Sequence, residues 1–185
     1  PVLKWSFKVG DPIKSSAAIE GGLVFIGADN GILYALDLLT GKEKWKQTTE
    51  GMIESSRLVL GDRVFVGSSD GYLYAFEKVT GKPLWKYETD DQILGAPNWV
   101  RSPDGKSFWI VTGSYDYFLH CVDAETGKGV WKYETGNYIN GAPAISDGKT
   151  VFGGCDALLH VISLADGTKV NEIEAGAYIP GSAAM

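Results

Sequence analysis

The run Ala35-Leu36-Asp37-Leu38-Leu39-Thr40-Gly41-Lys42-Glu43-Lys44-Trp45 recurs along the chain and decides how it folds. Its Thr-Gly-Lys step and its tryptophan return in a second copy that ends at Trp85, and again in a third copy that ends at Trp131. Self-similarity at a period of about 40 residues is typical of repeat architectures such as propellers. The chain therefore consists of a series of equivalent units.

The repeat extends beyond this run in both directions. A fourth copy follows the third at the same period and keeps Gly167, but it has Asn171 where the tryptophan would be. Trp5 lies one period before Trp45 and matches the end of an earlier copy. The third unit is longer than the others, and its additional residues fall near 101–107, which predicts a longer loop there.

Each unit is predicted to contain four short strands. In the second unit the apolar runs are separated by Gly61-Asp62, Asp70-Gly71 and Thr80-Gly81, which are turn signals. Asp70-Gly71 predicts a two-residue type I′ hairpin, because both central positions of that turn need a positive φ. No window keeps apolar residues at helical spacing for long enough to predict a helix. The sequence therefore predicts an all-β fold, a β-propeller of four-stranded antiparallel blades.

The unit boundaries predict one propeller domain over 1–185 with about four full blades. Propellers close at about four to eight blades, and closure removes exposed sheet edges. We expect the chain to be part of a larger ring. The open flanks of its first and last blades would then favour self-association. The alternative is a small closed ring, in which 3–9 pairs near the C-terminus. The predicted parts are 3–9, the outer strand of a preceding blade; four blades at 15–49, 55–89, 95–135 and 141–175; and 182–185, the start of a following blade.

Composition excludes several classes of function. The 185 residues carry a formal net charge of −6, which argues against binding of nucleic acid, because that requires clustered Lys and Arg. The longest apolar run, around 21–28, is too short to span a membrane. Two cysteines cannot build a disulfide scaffold. We expect a globular domain, and protein partners rather than DNA, RNA or a bilayer.

The recurring run has a physical explanation as a docking motif between blades. Its Asp can accept hydrogen bonds from the turn that follows, and its Gly tolerates positive φ and leaves room for an indole to lie on bare peptide. The Trp can bury on the order of 200 Å² between sheets. Ligand stacking by these tryptophans is the less favoured interpretation. The predicted docking residues are Ala35, Asp37, Gly41 and Trp45; Ala75, Glu77, Gly81 and Trp85; and Asp123, Gly127 and Trp131.

This motif resembles the tryptophan-docking motif of PQQ-like propeller repeats. These repeats are found in quinoprotein dehydrogenases and in the lipoprotein of the β-barrel assembly machinery. The fourth copy departs from the pattern, with Val161, Ser163 and Asn171 in the places of Ala, Asp and Trp. The resemblance implies a ring of seven or eight blades and a periplasmic or otherwise extracytoplasmic location.

The same resemblance allows two functions. The first is a non-catalytic propeller that binds or scaffolds protein partners, with no cofactor expected. The alternative is an incomplete part of a PQQ-dependent quinoprotein dehydrogenase, which would imply PQQ, calcium and a vicinal disulfide. No adjacent cysteine pair occurs, since Cys121 and Cys155 lie in different units. Asn98 and Trp99, adjacent on a predicted inner strand, are the only pair that suggests a quinone site. Trp99 is more simply interpreted as a core or channel-filling residue. No catalytic residue is assigned.

One face of the predicted ring is mainly acidic. It is formed by the loops that lead into each inner strand and by the hairpins after each second strand. Such carboxylates can serve turn chemistry and solubility, or they can form a docking face for a basic partner or a cation. The residues proposed for a partner face are Asp11, Glu50, Glu54, Asp90 and Asp91.

The two histidines and the two cysteines are the candidate metal ligands of the chain. His120 and His160 are equivalent positions of adjacent units and replace Tyr34 and Tyr74. A shared metal ion would need both imidazoles within about 2 Å of it, and equivalent strands of neighbouring blades are expected to lie too far apart. We therefore predict structural histidines and no metal site. The cysteines are expected to be free thiols that pack as small apolar residues.

Overall fold

The fold consists of four consecutive four-stranded antiparallel sheets. The structure, a computed structural model, describes residues 2–179 and 181–182. Among these residues there is no helix, and hence none that is long and apolar enough to cross a membrane. The strands are β1 (Ala18–Glu20), β2 (Leu23–Gly27), β3 (Ile32–Asp37), β4 (Glu43–Thr48), β5 (Leu58–Leu60), β6 (Arg63–Gly67), β7 (Tyr72–Glu77), β8 (Pro83–Glu88), β9 (Asn98–Arg101), β10 (Phe108–Gly113), β11 (Phe118–Asp123), β12 (Gly129–Glu134), β13 (Ala144–Ser146), β14 (Lys149–Gly153), β15 (Leu158–Ser163) and β16 (Lys169–Glu174).

Each sheet is a simple meander of four strands that follow one another in the chain. In the first sheet, Phe25 pairs with Ala35 and Ala35 pairs with Trp45. Every sheet also has a β-bulge between its third and fourth strands, after Ala35 in the first sheet, which bends the outer strand and strengthens its twist. The prediction of an all-β fold built of four-stranded antiparallel blades is confirmed.

The hairpin after the second strand differs from the predicted type I′ turn. In the second sheet, residues 68–71 form the connecting loop, and only Gly71 has a positive φ, at 85°. The amide of Gly71 donates to the carbonyl of Ser68 at 3.2 Å, and the Asp70 carboxylate accepts from the amide of Tyr72 at 3.0 Å. The aspartate therefore acts through its side chain, and it does not need the left-handed backbone that a type I′ turn would impose.

The predicted outer strand over 3–9 is not formed. Among the described residues, no backbone pairs with this segment as a strand, so it is held by its side chains alone. Trp5, Phe7 and Val9 pack against the first sheet at a cluster that includes Leu36. Of the predicted final strand over 182–185, residues 183–185 lie outside the described part of the chain.

The hydrophobic core lies between neighbouring sheets. Phe25 and Trp45 of the first sheet pack against Val64, Val66 and Phe76 of the second. The next two interfaces are built in the same way. The inner strands β1, β5, β9 and β13 contact one another in sequence, but the ring is not closed. Self-association through the open flanks stays a prediction.

One contact recurs at the three junctions between blades and once more where the N-terminal segment meets the first blade: an indole lies on the glycine of the following unit. In each case the glycine is in the left-handed region, and the indole Nε1 donates to a carbonyl oxygen in the same turn. The four pairs are Trp5 on Gly41, donating to Leu38 at 2.9 Å; Trp45 on Gly81, donating to Lys78 at 3.0 Å; Trp85 on Gly127, donating to Ala124 at 3.2 Å; and Trp131 on Gly167, donating to Leu164 at 3.1 Å.

Glycine is required at these positions for two reasons. Gly81 has φ +74°, a conformation that side chains with a Cβ rarely adopt. A Cβ there would also lie 2.5 Å from Cδ2 of Trp45, well inside van der Waals contact. The indole therefore rests on bare backbone, and both partners of the contact are fixed by sequence.

The turn that carries the glycine is held by a carboxylate. Oδ1 of Asp37 accepts from the amide of Leu39 at 3.1 Å and from the amide and hydroxyl of Thr40 at 2.9 and 2.8 Å. The hydrogen bonds from Thr40 are the main reason that the pKa of Asp37 falls to about 2. Asp123 holds the third turn in the same way. In the fourth unit, Asp166 accepts from Thr168 instead.

We predict that removing one of these indoles destabilises the chain strongly. Trp45→Ala should lower the free energy of unfolding by about 3–5 kcal/mol, the usual range for a buried large aromatic residue, since Trp45 is 8% exposed. Trp99→Ala is the matched control: Trp99 is 40% exposed and outside these contacts, so its loss should cost about 1 kcal/mol or less. Urea unfolding of the two variants measures the difference, and equal midpoints would contradict the docking role.

Candidate functional site

The loops at one end of the strands form a single surface, which we call the loop face. It comprises residues 10–17, 28–31, 49–57, 68–71, 89–97, 114–117, 135–143 and 154–157. Loops that lead into an inner strand lie beside hairpins after a second strand, and one equivalent backbone hydrogen bond among several recurs between them in each unit. The four bonds run from Asp29 to Pro12, Ser69 to Met52, Tyr115 to Gln92 and Cys155 to Tyr138, at 2.9–3.0 Å.

Some acidic residues of this face are used by the fold itself. The Asp70 carboxylate accepts from the amide of Tyr72 at 3.0 Å, the amide of Glu50 at 2.9 Å and the hydroxyl of Tyr74 at 2.8 Å. These bonds join its own hairpin, the neighbouring loop and the third strand. Asp70 is therefore a structural residue rather than a free charge.

His120 stands in the third unit where Tyr74 stands in the second, and it extends the network to the preceding blade. Its Nε2 lies 2.9 Å from Oδ2 of Asp116, and its Nδ1 lies 3.1 Å from the hydroxyl of Tyr87 on the second sheet. Burial acts to raise the pKa of Asp116, but the hydrogen bonds from His120 and from backbone amides outweigh it, and the pKa lies below its usual value. The imidazole therefore acts as a bridge between two blades.

His160 repeats this arrangement in the fourth unit. Its Nε2 lies 2.9 Å from Oδ2 of Asp156, and its Nδ1 faces the hydroxyl of Tyr133 at 3.4 Å and the carboxylate of Glu172 at 3.5 Å. Each histidine is thus satisfied within its own network. In the part of the chain that the structure describes, no group of three or more His, Cys, Asp or Glu side chains is placed to hold a metal ion.

The five residues proposed for a partner face lie on this surface. Asp11, Glu50, Asp90 and Asp91 are exposed. Glu54 is half-buried and pairs with Lys14 at 2.7 Å, while Lys14 also contacts Asp29 at 3.1 Å. The carboxylate of Asp91 accepts from the amide of Gln92, the residue beside it, at 2.7 Å. The loop face thus presents carboxylates to solvent in addition to those that the fold uses.

Arg57 is the buried cation of this face. It is 7% exposed, and its guanidinium donates to the carbonyls of Ser16 and Ser55 and to the hydroxyl of Ser15. Burial lowers the pKa of Arg57 to about 10. Because its hydrogen bonds go to neutral groups of the first two blades, it ties those loops together and leaves the exposed carboxylates unneutralised.

The residues suggested for a quinone site do not fit that role. Nδ2 of Asn98 donates to the carbonyl of Pro143 at 3.0 Å, and its Oδ1 accepts from the amide of Trp99. Trp99 packs edge to face on Phe108, with ring centroids 5.3 Å apart. Both cysteines are free thiols, and burial raises the pKa of Cys121 above its usual value. Asn98 and Trp99 are thus engaged in contacts within the chain.

A cavity lies at the opposite end of the strands. Its volume is about 450 Å³, and it lies between the second and third blades beside the longer loop at 102–107. Phe65 and Phe108 contribute apolar surface, while Arg63 at its rim pairs with Glu125 and donates to backbone carbonyls. The guanidinium of Arg63 is thus already paired within the chain.

Three tyrosines on the loop face were missed by the sequence analysis. The rings of Tyr115 and Tyr138 are stacked, with centroids 4.7 Å apart and an interplanar angle of 23°. Tyr117 lies against Tyr138 at 5.2 Å and 54°. The sequence did contain one sign of this cluster. Tyr117 stands at the turn position that glycine occupies in the first two units, at Gly31 and Gly71.

We predict that the two kinds of acidic residue differ in their effect on stability. Asp116→Ala should lower the free energy of unfolding by about 1–3 kcal/mol, because buried donors lose their acceptor. Asp91→Ala should change it by less than about 0.5 kcal/mol. Since the pKa of Asp116 is lowered in the folded chain, its contribution is present above about pH 4 and is lost as the pH falls below that. Chemical unfolding at pH 7 and pH 3 measures both effects, and equal costs at pH 7 would contradict the assignment.

Comparisons with solved structures show the same fold. BamB from Moraxella catarrhalis is 24% identical, with a TM-score of 0.79 over 92% of this chain and 52% of its own. The computationally designed Ika8 protein is 18% identical, with a TM-score of 0.78 over 89% of this chain and 50% of its own. The designed Ika4 protein is 19% identical, with a TM-score of 0.74 over 85% of this chain and 94% of its own. The chain therefore spans about half the length of the Moraxella protein.

Comparisons of sequence give the family. No match to a curated protein is significant. The family described as outer membrane protein assembly factor BamB matches residues 3–108 and 100–176, which together cover most of the chain. This match and the shared fold confirm the resemblance to PQQ-like propellers. The chain belongs to the BamB-like family of PQQ-repeat β-propellers.

Proposed function

We propose that this propeller is a non-catalytic scaffold that binds a protein partner through its loop face. The observation that carries the proposal is the set of exposed carboxylates, Asp11, Glu50, Asp90 and Asp91, on loops held by a rigid framework. Loops on a rigid scaffold are where binding residues concentrate. Surface charge of one sign selects a partner of the opposite charge and speeds its approach. The partner is therefore a protein with a basic surface.

The family supports this proposal. Its description is that of an outer membrane protein assembly factor, a role that involves other proteins and lies outside the cytoplasm. We extend both features to this chain, as a protein-binding role and a periplasmic or otherwise extracytoplasmic location. The quinoprotein alternative finds no support in the residues described above, since Asn98 and Trp99 are engaged in packing.

A short basic peptide tests the charge complementarity. The peptide acetyl-(Gly-Arg)4-amide should bind the wild-type chain, and its affinity should fall as salt is added, because exposed charges are screened. The double variant Asp90→Asn/Asp91→Asn should bind it at least about threefold more weakly, a change that corresponds to about 0.6 kcal/mol. Fluorescence anisotropy of the labelled peptide gives both dissociation constants.

The control for this experiment is Asp147→Asn. Asp147 is exposed on the opposite end of the strands, and its φ of 48° is one that asparagine tolerates. This variant loses one charge away from the loop face and should bind the peptide as the wild type does. An equal loss of affinity in the control and in the Asp90/Asp91 variant would contradict the proposal, as would a wild-type chain that does not bind the peptide.

A further inference from the structure

The three tyrosines Tyr115, Tyr117 and Tyr138 form an aromatic cluster that is open to solvent. Tyr117 is 41% exposed and Tyr138 is 38% exposed, although their rings pack on one another. Large exposed aromatic side chains are enriched among the residues that dominate the energy of protein interfaces. The cluster also brings two blades together, because Tyr115 and Tyr117 belong to the third and Tyr138 to the loop that leads into the fourth.

The backbone places Tyr117 at a cost. Its φ is 75°, in the left-handed region, where a side chain with a Cβ costs roughly 1–2 kcal/mol. The equivalent residues Gly31 and Gly71, with φ of 73° and 85°, make the same turn without this cost. The turn is nevertheless firmly held, since the amide and hydroxyl of Thr135 donate to the carbonyl of Tyr117 at 2.8 and 2.7 Å. Glycine would therefore serve the fold better than tyrosine does.

Negative charge lies beside the cluster. The backbone carbonyl of Asp91 accepts from the hydroxyl of Ser114 at 2.9 Å, which places Asp91 next to Tyr115. Burial raises the pKa of Tyr115, and the carboxylate of Asp91 raises it further. The neighbouring Tyr117 is the main cause that raises the pKa of Tyr138, and Asp91 adds to it. An aromatic face beside carboxylates is a favourable place for a cation.

The chain places cations on aromatic rings elsewhere. Nζ of Lys86 lies 4.0 Å from the ring centroid of Tyr72, and Nζ of Lys132 lies 4.3 Å from that of Phe118. Within residues 2–179 and 181–182, no lysine or arginine occupies this position over the three clustered tyrosines. The cluster therefore has the aromatic faces and the neighbouring negative charge of a cation site. A cation that binds there would come from another molecule.

We propose that the cluster of Tyr115, Tyr117 and Tyr138 anchors a lysine or arginine side chain of the protein partner, with Asp91 as its counter-charge. This inference rests on the proposed function, because it names the contact through which the loop face recognises a basic partner. The rings stack on the cation while the carboxylate of Asp91 neutralises it. The strained turn at Tyr117 is retained because it projects an aromatic ring into this contact.

The strain at Tyr117 allows a test that does not depend on a damaged fold. Tyr117→Gly removes the ring and relieves the left-handed backbone, so the variant should melt no lower than the wild type. It should nevertheless bind acetyl-(Gly-Arg)4-amide about fivefold more weakly at physiological salt, the loss expected from one exposed cation–π contact. Tyr138→Ala should weaken binding by a similar factor. A peptide with citrulline in place of arginine, which has the same shape and no charge, should not bind.

Ala157→Gly is the matched control. Ala157 occupies the same turn one blade further on, with φ 63°, and lies outside the tyrosine cluster. Its replacement relieves the same backbone conformation and should raise the melting temperature by about 2–4 °C, since a gain of roughly 1 kcal/mol has that effect in a chain of this size. The peptide affinity of this variant should equal that of the wild type.

The outcomes separate this inference from the proposed function. If Asp90→Asn/Asp91→Asn weakens peptide binding while Tyr117→Gly and Tyr138→Ala leave it unchanged, the loop face binds by charge alone and the tyrosine anchor is wrong. If the wild type does not bind the arginine peptide, both proposals are wrong. Equal binding of the arginine and citrulline peptides would also overturn the cation contact.

Discussion

The structure depends on one contact, an indole lying on the left-handed glycine of the next unit. Trp45 on Gly81 shows what the contact requires: a glycine because a Cβ would collide with the ring, and a carbonyl, that of Lys78, to accept from the indole nitrogen. The contact recurs at each junction between blades, so the angle between successive sheets is set by the same geometry each time. The hydrophobic cores between the sheets form around this contact, and Phe25 and Phe76 both pack against Trp45.

The two ends of the strands consequently have different roles. The indoles, the glycines and the turns capped by Asp37 and Asp123 occupy one end, where variation is restricted by packing. At the other end, equivalent backbone hydrogen bonds hold the loops in each unit, and several side chains between them point to solvent. Exposed carboxylates and the tyrosine cluster both occur at that end. A rigid framework with a variable face is suited to binding, whatever the partner.

The sequence predicted the four-stranded blades and missed the histidine side-chain contacts that join neighbouring blades. The strand order follows from a register that holds over four units. From the sequence alone, Asp116 and His120 could not be told apart from ordinary turn residues. Their bridge to Tyr87 crosses between blades, so it depends on the angle between two sheets. The type I′ hairpin was wrong because the Asp70 side chain, rather than its backbone, completes the turn. The segment 3–9 has the pattern of a strand, but a strand also needs a neighbour with which its backbone can pair.

The most direct test of the central contact is a double-mutant cycle on Trp45 and Gly81. In the wild type, Gly81→Ala introduces both backbone strain and a collision with the indole. In the Trp45→Ala background only the strain remains, so the second substitution should cost less. We predict that the double variant is more stable than the sum of the two single losses by at least about 1 kcal/mol, as expected of residues in contact. Losses that add to within about 0.3–0.5 kcal/mol in urea unfolding would show that the two residues act independently and would contradict the account.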